Sequence, residues 1–97
     1  MVDYRKQKII IMEVFRILVV VMGVSMSFAY YPQAYKIWKN KSAENISIFA
    51  YVIFSLGTLT WFLYGIAIQD MIIAISFVIG VFGSWAVLIL AFIYKKV

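Results

Sequence analysis

The stretch WFLYGIAIQDMIIAISF, residues 61–77, joins two long apolar runs through only two polar residues, Gln69 and Asp70. A helix that crosses the roughly 30 Å hydrocarbon core of a bilayer needs about 20 mostly apolar residues, at about 1.5 Å each. Both runs meet that length, one reaching from about Ile46 to Ile68 and the other from Met71 to Tyr94. Spans joined by so short a link run antiparallel and meet in a tight turn. Trp61 stands seven residues before Ile68, and Ser76 and Phe77 stand five and six after Met71. All three therefore lie at similar depth, about 8–11 Å along their helices.

Working outward, a third apolar run covers about Ile17 to Tyr35, which gives three spans at 17–35, 46–68 and 71–94. Of the 97 residues 66% are hydrophobic and 13% are charged, whereas an ordinary soluble domain is about 25% charged. The chain therefore reads as an all-α membrane protein, multi-pass, with the lipid bilayer as its solvent. Cysteine and histidine are both absent, which removes disulfides and the usual transition-metal ligands, so no metal site and no cofactor are expected. The spans hold neither a nucleophile with its base nor paired carboxylates, so no catalytic residue is assigned and an enzyme is excluded as a class. The net charge of +5 comes from basic residues that all lie outside the second and third runs. That pattern suits anionic lipid headgroups rather than nucleic acid.

Asp3, Arg5, Lys6 and Lys8 precede an apolar stretch in which Glu13 and Arg16 stand three apart, close enough on one helical face to pair. Residues 1–16 read as an interfacial helical extension, and residues 17–97 as a single three-helix domain. Basic residues face the cytoplasm. Lys36, Lys39, Lys41, Lys95 and Lys96 share one side, against Arg5, Lys6, Lys8 and Arg16 on the other. The count narrowly favours a cytoplasmic link 36–45.

Three helices cannot surround a solute pathway, so transport requires assembly into a symmetric oligomer. Ser76, Gly80 and Ser84 recur every four residues in the third run, and Gly23 and Ser27 repeat that spacing in the first. Such ridges of small residues allow close helix approach, either within one chain or between two. Pro32, followed by Gln33, is the chain's only proline. It removes its own N–H and leaves the Phe28 carbonyl without a partner. In lipid that carbonyl needs a polar neighbour, and Tyr30, Tyr31 and Gln33 are at hand. Chemistry alone leaves two readings: a helix end flanked by the interfacial aromatics Tyr35 and Trp38, or a hinge.

The segments YYPQAYKIWKNKSAENIS (30–47) and IFAYVIFSLGTLTWFLYGIAIQD (48–70) resemble the PQ-loop repeat of the SemiSWEET sugar transporters. The likeness covers roughly residues 17–96 and rests on Pro32-Gln33, on Ile46-Ser47 and on the SLGTLTWFLYG block that ends at Gly65. It implies three-helix bundles, with the third span between the first and second (spatial order 1-3-2), paired as a parallel homodimer. It also implies an N-terminus outside, a cytoplasmic link 36–45 and C-terminus, and Pro32 with Gln33 as the hinge of an alternating-access cycle. By the same resemblance Trp61 stacks on a sugar, whereas its chemistry alone reads first as packing. The family's partner residue is an asparagine in the third span; here continuous register puts Phe77 there, and a one-residue slip puts Ser76. Tyr64 and Asp70 match positions that close the outer gate, but Ile68 replaces an arginine found in some relatives, so a salt-bridged gate is expected to be incomplete.

Aromatic faces suit the C–H surface of a sugar ring, while hydroxyls need partners such as Thr58 or Ser76. With no Asp, Glu, Lys, Arg or His inside the second and third spans, the pathway suits a neutral solute and facilitated diffusion rather than proton coupling. Another small solute on the same PQ-loop scaffold is the nearest alternative. A proton-coupled small multidrug exporter using Glu13 is a second, although such exporters have four helices. A non-transporting membrane subunit is a third.

Overall fold

The computed structural model describes residues 3–95, so Lys96, counted in the charge balance above, lies outside it. Four helices follow in order: α1 (Tyr4–Phe28), α2 (Tyr30–Asn40), α3 (Ile48–Ala67) and α4 (Met71–Tyr94). With α1 and α2 taken as one kinked helix, three are long and apolar enough to cross a membrane. The third span has its expected limits. The second is trimmed at both ends, because Ser47 is the cap that accepts the Ala50 N–H at 3.1 Å and Ile68 belongs to the turn.

The first helix is far longer than the 17–35 run. Asp3 caps its start by accepting the N–H groups of Arg5 and Lys6, and no proline interrupts it before residue 32. The described chain measures 65 × 22 × 19 Å, so residues 4–16 prolong the axis of the first span.

Pro32 sets the break between α1 and α2. Without an N–H at position 32, the regular ladder fails at the Phe28 carbonyl, and α1 ends at that residue. The Ala29 N–H turns back to the Met26 carbonyl at 3.1 Å, and Ala29 keeps right-handed angles (φ −65°, ψ −24°). The result is a kink within one span, not a reversal. Among the side chains placed to answer the freed carbonyl, Tyr31 is engaged elsewhere: its hydroxyl donates to the Ile79 carbonyl of α4 at 2.8 Å.

The α3–α4 turn is a Schellman arrangement. The Asp70 N–H bonds the Gly65 carbonyl at 2.8 Å, the Gln69 N–H bonds that of Ile66 at 3.0 Å, and Gln69 takes the left-handed φ of 59°. Asp70 then starts α4 by accepting the Ile73 N–H.

Helix α4 packs against α1, α2 and α3, and its small residues make this possible. A methyl on Gly80 would stand 2.6 Å from Ser27 Oγ and 3.2 Å from Thr58 Cγ2, and one on Gly83 would stand 2.9 Å from Tyr30 Cβ. Ser76 and Ser84 are buried between the helices. Both small-residue ridges are thus spent inside one chain. Hydrogen bonds cross the α3–α4 seam as well, from Thr58 to Ser84 at 2.9 Å and from the Trp85 indole to the Ser55 carbonyl at 3.2 Å. At the far end Ile37, Ala43 and Ile46 fold over Val87 and Ala91. Lys41 reaches Tyr94, and Lys95 donates to the Ile46 carbonyl, so the 41–47 link and the end of α4 share one end of the bundle.

The closest approach is at Gly65, where an added Cβ would meet the Ala74 backbone nitrogen at 2.7 Å and its Cα at 2.9 Å. Backbone cannot step aside, so Gly65→Ala should splay the hairpin and lower stability by about 1–3 kcal/mol, the usual range for overpacking. Gly57→Ala, with nothing within 4 Å of its Cβ, should lower it not at all. Thermal unfolding of both variants in detergent checks this, and equal losses would refute the packing account.

Candidate functional site

The backbones of the first span and α3 do not pack together; each leans on α4, and between them, where Tyr30 reaches across to Tyr51 and Phe54, lies a cavity of about 430 Å³. One face of the first span supplies Val19, Met22, Gly23, Met26, Ser27 and Tyr30, at helical spacing. Helix α3 supplies Ile53, Phe54, Gly57, Thr58 and Trp61, again on one face, and α4 supplies Phe77 alone.

Trp61 is exposed on the wall, with 46% of its surface accessible. Its ring lies nearly parallel to that of Phe77, at 5.6 Å and 16°, and edge-on to Tyr64 at 5.7 Å. Phe77 is held there because Gly23 lets it in: a Cβ at position 23 would be 3.0 Å from Phe77 Cζ. Ser76 does not line the cavity. It is buried, and its hydroxyl donates back to the Ile72 carbonyl at 2.6 Å. Phe77 rather than Ser76 therefore faces Trp61. Thr58 does border the cavity, but its hydroxyl is engaged with Ser84 and with the Ser55 carbonyl.

The remaining candidates lie elsewhere. Gln33 borders a separate hollow of about 170 Å³ beside the 42–46 link, next to the exposed Pro32. Tyr64, with Thr60 and Trp61, borders a hollow of about 390 Å³ on the way to the α3–α4 turn. Asp70 occupies that turn.

Asp70 forms an ion pair within the chain, with a partner other than position 68. Arg16 supplies the cation from the first span: its Nε donates to Oδ2 at 2.6 Å and its NH2 to Oδ1 at 2.7 Å. This bidentate fork fixes both carboxylate oxygens. The Glu13 contact read from the sequence exists, but only as a longer 3.6 Å approach to NH1. Nothing local in the sequence pairs positions 16 and 70, since their meeting depends on the axial offset of α1 against α4. Gly57 and Ile53 were more legible, standing four and eight residues before Trp61 on the same face.

A family model described as the PQ loop repeat matches residues 14–74. The chain is also 30% identical over 70 residues, 72% of its own length and 79% of the other's, to a protein named Sugar transporter SemiSWEET from Escherichia coli (strain UMEA 3162-1). No solved structure matches. The family match takes in Arg16, Pro32, Trp61 and Asp70 and stops short of Phe77.

The Arg16 hydrogen bonds hold the Asp70 carboxyl at about 2, below its ordinary 3.8, against an opposing effect of burial and with help from the Ile73 N–H. A depressed folded-state value means that the pair stabilises fully above the unfolded-state value and loses that contribution as pH falls from about 4 toward 2. The unfolding temperature in detergent should therefore fall over that window, and Arg16→Gln should remove much of the fall. An unchanged acid profile in the variant would refute the coupling.

Proposed function

The chain belongs to the PQ-loop repeat family, and from that premise we propose that it is a SemiSWEET-type facilitator. It carries a small neutral sugar, a mono- or disaccharide, in either direction across the cell membrane by alternating access through the centre of a parallel homodimer. The observation that carries this reading is the aromatic-lined cavity of about 430 Å³ with Trp61 exposed on its wall. That volume lies within the range of small-ligand sites, and an indole face suits the C–H surface of a pyranose.

Several features support the finer points. The packing of α4 against both the first span and α3 supports the 1-3-2 order of such bundles. The cavity is walled by one chain on part of its perimeter only, and a second copy about an axis along the membrane normal would close it. None of its lining residues is Asp, Glu, Lys, Arg or His, so flux follows the solute's own gradient. Glu13, the carboxylate an exporter would need, is not among those residues. Pro32 places a kink between cavity and link, where the inner end of the first span can swing. In the proposed orientation the N-terminus is outside, and the basic link and C-terminus are cytoplasmic.

Uptake of labelled mono- and disaccharides into liposomes holding the purified dimer, with and without a pH gradient, tests the reading. Saturable uptake of at least one sugar, indifferent to the gradient and reduced at least tenfold in Trp61→Ala, is expected. Gly57→Leu, which adds bulk where nothing lies within 4 Å, should block flux in a protein that still unfolds at the wild-type temperature. Well-folded dimers that take up no sugar would end the assignment, and a flux driven by the pH gradient would end the uniport mechanism.

A further inference from the structure

Resting on the facilitator reading above, we infer that this cavity selects deoxysugars, solutes with a more continuous hydrocarbon face, over their fully hydroxylated counterparts. The proton inventory of the wall leads there. A serine or threonine hydroxyl carries one proton. That of Ser27 is donated to the Gly23 carbonyl at 2.6 Å. Thr58 and Ser84 hold two protons between them and face the Ser55 carbonyl at 3.1 Å, the Gly80 carbonyl at 2.7 Å and each other at 2.9 Å. With the partners at these distances, the network can take up both protons, which leaves a solute to find its donors elsewhere.

Among the described residues, the cavity wall then offers two donors per chain, the Trp61 indole N–H and the Tyr30 hydroxyl. Apart from the hydroxyl oxygens of Ser27 and Thr58, which can still accept, the rest of the wall is mainly carbon and thioether sulfur, from Met22, Met26, Ile53 and Phe54 with the face of Phe77. A hexose brings five hydroxyls, each seeking partners, into an occluded site where water no longer serves. A hydroxyl pressed against this apolar wall without a partner is disfavoured by about tenfold or more in binding. Replacing it with hydrogen removes that penalty and adds apolar contact. Apolar pockets reject an added hydroxyl only moderately, by up to about 10²-fold, so the expected preference is about tenfold per hydroxyl removed from the side facing Phe77 and the methionines.

Phe77 is the specificity-determining residue in this account. It is the sole contribution of α4 to the wall, it stacks on Trp61, and Gly23 fixes its ring. An asparagine in its place would present an amide that both donates and accepts.

The test is proteoliposome uptake with competition by matched pairs that differ in one hydroxyl: D-glucose against 2-deoxy- and 6-deoxy-D-glucose, and D-galactose against 6-deoxy-D-galactose. At least one deoxysugar should compete about tenfold better than its parent. Phe77→Asn should erase or invert that ratio, and Phe77→Leu, which keeps the wall apolar, should preserve it. Saturable, Trp61-dependent uptake with no deoxy preference would overturn the selectivity while leaving the facilitator standing. A ratio unchanged in Phe77→Asn would overturn the role of Phe77 and with it the apolar-wall account. Absence of saturable uptake for every sugar would overturn both readings together.

Discussion

The structure depends on the close seating of α4 against the other helices. Inside a bilayer there is no hydrophobic gain in bringing two apolar helices together, because lipid is as apolar as leucine; dispersion contacts and interhelical hydrogen bonds must supply the attraction. Both fall off steeply with distance, so residues without bulk decide which faces meet. Gly65 lets α3 reach the backbone of Ala74, Gly80 admits Ser27 and Thr58, and Gly83 admits Tyr30. One helix thereby meets three others, through its own Gly80 and Gly83 and through Gly65 of α3. The backbones of the first span and α3 are left apart, and the space between their facing sides is the cavity.

The first span is secured differently along its length. At the turn end Arg16 grips both oxygens of Asp70, and through the middle Gly23 and Ser27 seat against Phe77 and Gly80. Beyond that the hydrogen-bond ladder is broken opposite Pro32, and α2 departs as a separate segment. Any bending of this span is therefore directed to the segment between Phe28 and the link, where one bond is already missing, and away from the tethered N-terminal half. Tyr31 modifies the freedom of that segment, since its hydroxyl holds the Ile79 carbonyl of α4. A swing of α2 must release that bond or carry it along.

The sequence disclosed what depends on length and spacing, and it left open what depends on the offset between distant segments. Two residues between long apolar runs dictated the hairpin, and counting from that turn placed Phe77 level with Trp61. The position of the proline dictated where α1 ends. The first run appeared to begin at residue 17 because charged residues precede it, yet a helix tolerates charges on its surface and stops only for a breaker or a cap; the cap is Asp3. Arg16 was assigned to Glu13 because helical spacing exposes local pairs only. Thr58 and Ser76 looked like hydroxyls available to a solute, but in a helix without water a hydroxyl turns to the nearest carbonyl, and theirs did. The serine ridges were ambiguous between internal and external contacts until the axial register of α4 settled them as internal.

Gly57 points outward from this arrangement. Glycine in a helix interior is disfavoured by about 1 kcal/mol relative to alanine, and the other glycines of the bundle offset that loss by admitting a neighbour. Gly57 admits none, since nothing approaches within 4 Å of its missing Cβ. It lies on the cavity wall one turn from Trp61 and one turn from Ile53, the central position of the α3 face. No interaction among the described residues accounts for a glycine there. On the proposed facilitator reading, its reason is what enters the space from outside, a solute resting in the cavity or the matching face of a second copy. Both are required if the pathway runs through the centre of a dimer, where room at position 57 sets the width available between two facing walls.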